Sequence, residues 1–184
     1  GSAFLGGIST NFASNLVLGE GRRLVVEADE YDRSFLRLWP DVAVITATDA
    51  DHLDIYGTAE AMVEAFEQFA SQIKEGGSLI LKQGVAFHFD TKGRNLYRYS
   101  CDAGGDFHAE NIRLIEGGHY RYDIVLPDGR IEDCELGILG KVHIENSVAA
   151  VAMLWCAAKR EGKALDSEAV RRALRDFVGV KRRM

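Results

Sequence analysis

Two short apolar runs in the first third of the chain each end in acidic residues, and the second has a histidine set among them. Leu24, Val25 and Val26 lead into Glu27, Ala28, Asp29, Glu30, Tyr31 and Asp32; Val42, Ala43, Val44 and Ile45 lead to Asp49, Asp51, His52 and Asp54. Eight carboxylates between Glu27 and Asp54 stand against only Arg33 and Arg37. Such crowding is relieved either by a bound cation or by solvent. At the crevice end of a parallel sheet such residues are metal and phosphate territory. The other reading is an acidic loop that is only solvated.

The elements that must hold these residues follow from the apolar pattern. A β-branched run that stops abruptly at polar residues predicts a buried strand. In an open parallel sheet the ligand crevice lies outside the carboxyl ends of the strands, so Glu27 and His52 are expected side by side at one edge. His52 also reads as a core histidine satisfied by a carboxylate. From Thr58 to Ile73, Ala61, Met62, Ala65, Phe66, Phe69, Ala70 and Ile73 recur at three- and four-residue steps. That spacing predicts an amphipathic helix capped by Thr58 and ended by Gly76-Gly77, with Ser78 to Leu81 as the next buried strand. The β, α, β alternation makes the fold class α/β, a mostly parallel sheet flanked by helices.

From about Gly104 to Leu139 the apolar runs are short, with turns at Gly117-Gly118 and Pro127-Asp128-Gly129. These predict a small antiparallel β patch, peripheral to the parallel sheet. Ile144, Val148, Ala149, Val151, Ala152, Leu154, Trp155 and Ala158 then cover nearly all faces of a helix ending at Gly162. Asp166 or Ser167 caps a last helix carrying Ala169, Val170, Ala173, Leu174 and Phe177.

At 184 residues, 47% hydrophobic and 27% charged, the chain is an ordinary globular sequence. The net charge of -6 leaves no basic face for nucleic acid. Cys101, Cys134 and Cys156 are odd in number and far apart, which fits neither a disulfide framework nor a zinc knuckle and favours a reduced, cytoplasmic setting. No apolar run approaches the roughly 20 residues of a membrane span, and the expectation is that no signal peptide precedes Gly1.

Gly137 to Val142 fails as a P-loop: two residues rather than four separate its glycines, and Val142 rather than a hydroxyl residue follows Lys141. At the C-terminus, Lys181, Arg182 and Arg183 suit either the negative end of a helix dipole or a phosphate held by guanidinium groups. Asn146 falls in the first turn of the Ile144 helix.

Taken together, these segments resemble the Mur ligases. The residues that carry the likeness are Glu27-Ala28-Asp29-Glu30-Tyr31-Asp32 with Ser34-Phe35-Leu36, Pro40-Asp41, Asp49-Ala50-Asp51-His52-Leu53-Asp54, Asn146-Ser147-Val148-Ala149-Ala150, Phe177, and Gly179 to Arg183. The likeness is greatest to the L-alanine-adding branch and covers essentially the whole chain. It implies an ATP-dependent amide ligase of peptidoglycan synthesis, with UDP-N-acetylmuramate and L-alanine as substrates and no nucleic-acid or membrane partner. By this resemblance residues 1–184 are a partial central ATP-binding domain, lacking the P-loop segment, the N-terminal UDP-sugar domain and the C-terminal domain, and inactive by itself. It further implies that Glu27 and His52 bind magnesium and that Asn146 contacts the nucleotide. Val142 and His143 stand where the family usually has His and Asn, with His143 the candidate for adenine or ribose. Arg183, with Arg182 beside it, approaches the ATP phosphates. The alternatives are a muropeptide-recycling ligase of the same family and an acidic α/β interaction domain without catalysis.

Overall fold

The computed structural model describes residues 2–5, 25–27, 34–37, 39–46 and 59–179. Five strands form one parallel sheet: β1 (Ser2–Leu5), β2 (Val25–Glu27), β3 (Val42–Ile45), β4 (Ser78–Lys82) and β5 (Asn95–Tyr99), in the order β2-β1-β3-β4-β5. Phe4 is level with both Glu27 and Val44, Val44 with Ile80, and Ile80 with Tyr97. The predicted α/β class and parallel sheet are therefore present. β1 and β5 have no counterpart among the predicted elements, and β1 has a consequence: it lies between β2 and β3. Glu27 thus ends a strand two spacings, about 10 Å, from the strand that leads toward His52. The two strands are not neighbours, and His52, expected beside Glu27, lies outside the described residues.

The pleat sends alternate residues to opposite faces. Ala43, Ile45, Leu79 and Leu81 meet Met62, Phe66, Phe69 and Ala70 of α1 (Ala59–Ser71) on one face. Val42, Val44 and Ile80 face the second core. Thr58, expected to cap α1, lies outside the described residues. At the other end, the guanidinium of Arg94 donates to the carbonyls of Ala70 (3.2 Å) and Ser71 (3.0 Å), satisfying acceptors that a helix end leaves open. Gly77 follows, because a Cβ there would overlap the Asp41 carbonyl and come within 2.7 Å of the Ile73 side chain and 2.8 Å of the Lys74 carbonyl.

The antiparallel patch is a separate three-stranded sheet: β6 (His108–Leu114), β7 (Tyr120–Leu126) and β8 (Gly129–Glu135). Its β7-β8 hairpin closes through Pro127-Asp128, with Leu126 opposite Gly129. Between the two sheets runs α2 (Val142–Arg160). Its residues from Ile144 to Ala157 are nearly all buried, because one side faces the parallel sheet and the other the antiparallel one. Tyr122 of β7 donates its hydroxyl to Ser147 Oγ (2.6 Å), which itself donates to the Ile144 carbonyl (2.6 Å). Tyr97, Phe107 and Trp155 meet edge to face at 5.5–5.7 Å. The last helix, α3 (Ser167–Asp176), is capped by Asp166, which accepts from Ala169 N at 3.1 Å. No helix among the described residues is long and apolar enough to cross a membrane.

Candidate functional site

The strand order reverses at β1: the chain moves outward to β2 on one side and to β3, β4 and β5 on the other. In an open parallel sheet the crevice outside the carboxyl ends at such a switch point is where ligands bind. Here those ends are Glu27 of β2, Leu5 of β1 and Ile45 of β3. Glu27 is the last residue of β2, so its backbone stands on that edge. The segment after β3 carries Asp49, Asp51, His52 and Asp54, which lie outside the described residues, as do Asp29, Glu30, Asp32, Arg182 and Arg183.

α2 reaches the same edge from the other end of the fold. Glu145, in its first turn, pairs with Lys82, the final residue of β4, at 3.2 Å. At its far end Arg160 pairs with Asp41, just before β3, at 3.4 Å. The nineteen-residue helix, about 28 Å long, therefore runs against the strands, starting at their carboxyl edge and finishing at their amino edge. This brings the half-buried His143 and Asn146 to the edge where Glu27 ends its strand.

The start of α2 is chemically unusual. Its N-cap is Lys141, already helical at φ -63 and ψ -28, with no side-chain cap, where Ser, Thr, Asp or Asn is the common choice. Lys141 lies 4.0 Å from Asp102, in the loop after β5. Burial holds the His143 imidazole below its usual pKa, so it is neutral at pH 7. Burial, with Glu145 nearby, raises the Tyr99 phenol beneath this turn, and burial with Asp102 beside it raises the Cys101 thiol. A neutral imidazole and a carboxamide offer donors and acceptors without charge, which suits the edge of a heterocyclic base better than a phosphate.

A cleft of about 480 Å³ lies at the opposite, amino end of the fold, lined by Asp128, Arg130, Trp155, Lys159 and Lys163 among others. It holds none of the residues named from the sequence as candidates for catalysis, metal or nucleotide binding. Its lysines neighbour the negative end of α2, and Lys159 also pairs with Asp128 at 3.8 Å. No cluster of three or more His, Cys, Asp or Glu side chains among the described residues could hold a metal ion. Lys82 and Glu145 are not singled out by the sequence pattern, although a single lysine closing the apolar run Ser78 to Leu81 stands at the crevice end of a predicted strand.

A family model described as the Mur ligase middle domain matches residues 10–154. UDP-N-acetylmuramate--L-alanine ligase of Phocaeicola vulgatus is 47% identical over 184 residues, an alignment covering 99% of this chain and 38% of that protein. The chain thus spans well under half the length of the curated relatives it matches. Among solved structures, MurF from Acinetobacter baumannii superposes with a TM-score of 0.70 at 19% identity, covering 98% of this chain and 46% of the other. A complex named FPGS-AMPPCP superposes at 0.64 with 23% identity, covering 83% and 38% respectively. At these identities the structural likeness concerns the fold.

Proposed function

The chain belongs to the Mur ligase middle-domain family, and from that premise we propose that its carboxyl sheet edge forms the ATP site of a longer, cytoplasmic ligase joining L-alanine to UDP-N-acetylmuramate. The observation that carries this reading is the convergence at one edge of the switch point, the end of β2 at Glu27 and the first turn of α2 with His143 and Asn146. The identity of 47% to a ligase of that name supports the choice of substrates. AMPPCP, carried by one of the structural neighbours, is an analogue of ATP and supports the nucleotide.

In this reaction the sugar carboxylate attacks the γ-phosphorus of ATP, giving an acyl phosphate and ADP. The amine of L-alanine then attacks the acyl carbon, and phosphate leaves with the bond to carbon broken. Phosphoryl transfer of this kind needs positioned positive charge more than a covalent protein nucleophile. Magnesium, when bound, neutralises charge on the β- and γ-oxygens. Glu27 supplies it a hard anionic oxygen, and His52 is the second candidate ligand although imidazole is a softer partner for that ion. Asn146 and His143 face the nucleoside; Arg182 and Arg183 offer guanidinium donors to the phosphates. β2 and β4 lie three strand spacings apart, about 14 Å, so the metal end and the nucleoside end of the site are separated along the edge.

No G-x-x-x-x-G-K-[ST] stretch occurs in these 184 residues; in the proposed reading the loop that would cradle the phosphates is part of the longer ligase. The test is release of ADP by the intact protein when offered UDP-N-acetylmuramate with each candidate amine. Release that depends on L-alanine, with formation of the amide, is the expected result. Use of a preformed peptide in place of L-alanine would assign the protein to muropeptide recycling, and no turnover with any amine would refute ligation.

A further inference from the structure

The first turn of α2 begins without a side-chain cap, yet it must present Asn146 and His143 in a fixed direction if they are to meet a nucleotide. Two ion pairs of opposite sense tie it to the parallel sheet. Lys141 reaches Asp102, in the loop after β5, at 4.0 Å, and Glu145 reaches Lys82, at the tip of β4, at 3.2 Å. The second is the closer, and Glu145 immediately precedes Asn146. Successive helix residues point about 100° apart, so fixing Glu145 toward β4 fixes the rotation of the turn and with it the direction of Asn146. Among the described residues Glu145 is the carboxylate that pairs with the Lys82 ammonium group, while the Lys82 backbone carbonyl accepts from the Arg98 guanidinium at 3.2 Å and from Val85 N at 3.3 Å.

We infer that Lys82 is a positioning residue of the nucleotide site, acting through Glu145 to orient the first turn of α2. The inference rests on the reading of that turn as part of an ATP site. A half-exposed ion pair is a weak tie, and the orientation it enforces cannot be worth more than the pair itself, which bounds the effect on nucleotide affinity at about fivefold.

The test uses Lys82→Ala, Glu145→Gln and the charge-swapped pair Lys82→Glu with Glu145→Lys in the intact ligase, measuring KM for ATP and kcat separately. Amide hydrogen exchange across His143–Ser147 is followed in the same variants of the 184-residue chain. Each single change is expected to raise KM for ATP by about three- to fivefold with kcat within about twofold. Exchange in the first turn speeds up, and the swapped pair restores both readings. A purely structural tie would lower the melting temperature and leave KM untouched, which overturns the inference. Weak ATP binding in Lys82→Ala alone, with Glu145→Gln normal and no recovery in the swap, would mean that Lys82 touches the nucleotide itself, and that overturns it too. If the wild-type protein uses no ATP, the proposed function fails, and exchange alone decides the tie: unchanged exchange in both single variants refutes it.

Discussion

Besides its apolar packing, α2 meets the antiparallel sheet through a buried hydrogen bond between Tyr122 and Ser147, and removing it from either side should have unequal effects. Tyr122 and Ser147 are both fully buried. The tyrosine hydroxyl donates to Ser147 Oγ, which donates onward to the Ile144 carbonyl, each at 2.6 Å. Tyr122→Phe leaves Ser147 its donor bond and strands only an acceptor lone pair, for a loss of about 1 kcal/mol. Ser147→Ala leaves a phenolic O–H without an acceptor in a dry core, about 2 kcal/mol, offset by about 0.5 kcal/mol from the better helix propensity of alanine. The double variant removes both groups and should lose about 1 kcal/mol, less than the sum of the singles by about 1 to 2 kcal/mol. Urea unfolding followed by circular dichroism reads all three, and at this size each kcal/mol is about 2–4 °C in Tm. Strictly additive losses would refute the assignment of the 2.6 Å contact as a working hydrogen bond.

Burial pushes the thiols of Cys134 and Cys156 from an ordinary 9.0 up to about 12. A raised folded value means that their contribution is complete below pH 9 and is lost as pH climbs toward 12, by about 1.4 kcal/mol per pH unit for each thiol. The Cys134→Ala, Cys156→Ala variant should therefore show a flatter fall in stability between pH 9 and 12, and an unchanged slope would contradict the burial of these thiols. Gly77→Ala should lose about 2 kcal/mol or more, because the new methyl meets the backbone of Asp41 and Lys74 rather than a flexible side chain. A urea midpoint equal to wild type would show that this close approach is relieved at no cost. The 184 residues alone should form no amide from ATP, UDP-N-acetylmuramate and L-alanine, since losing even one oriented phosphate donor costs about 3 to 4 kcal/mol in a transition state. Product above the no-enzyme background would sink that expectation.

Much of this architecture is legible in the sequence where one period dominates. The three- and four-residue recurrence from Ala61 to Ile73 marks α1, and the all-round apolar character from Ile144 to Ala158 marks a helix buried on both sides, which α2 is. Gly and Pro punctuation marks the antiparallel sheet, and Tyr120 to Val125 is strand as expected. β1 escapes the pattern because Ser2–Leu5 carries no β-branched residue, and β5 because Asn95–Tyr99 mixes Asn and Arg with its apolar residues. Without β1, the strands ending at Glu27 and at Ile45 read as neighbours, when in fact a third runs between them. The Lys82–Glu145 pair joins residues far apart in the chain, and no local pattern reports such a contact. Of the residues named for chemistry, Glu27, His143 and Asn146 come to one edge, while His52, Arg182 and Arg183 lie outside the described residues.

Turnover of the intact ligase carrying Glu27→Gln tests the central claim most directly. The amide keeps the volume and one oxygen of the carboxylate while removing its charge, so the variant should fold as wild type, within about 0.5 kcal/mol. Magnesium-assisted stabilisation of the transferring phosphoryl group should fail without the anionic oxygen, lowering kcat by about a hundredfold or more at ordinary magnesium concentrations. A folded Glu27→Gln enzyme that turns over at the wild-type rate would make Glu27 one more charge on an acidic loop and contradict the placement of the metal and phosphate end of the site at the tip of β2.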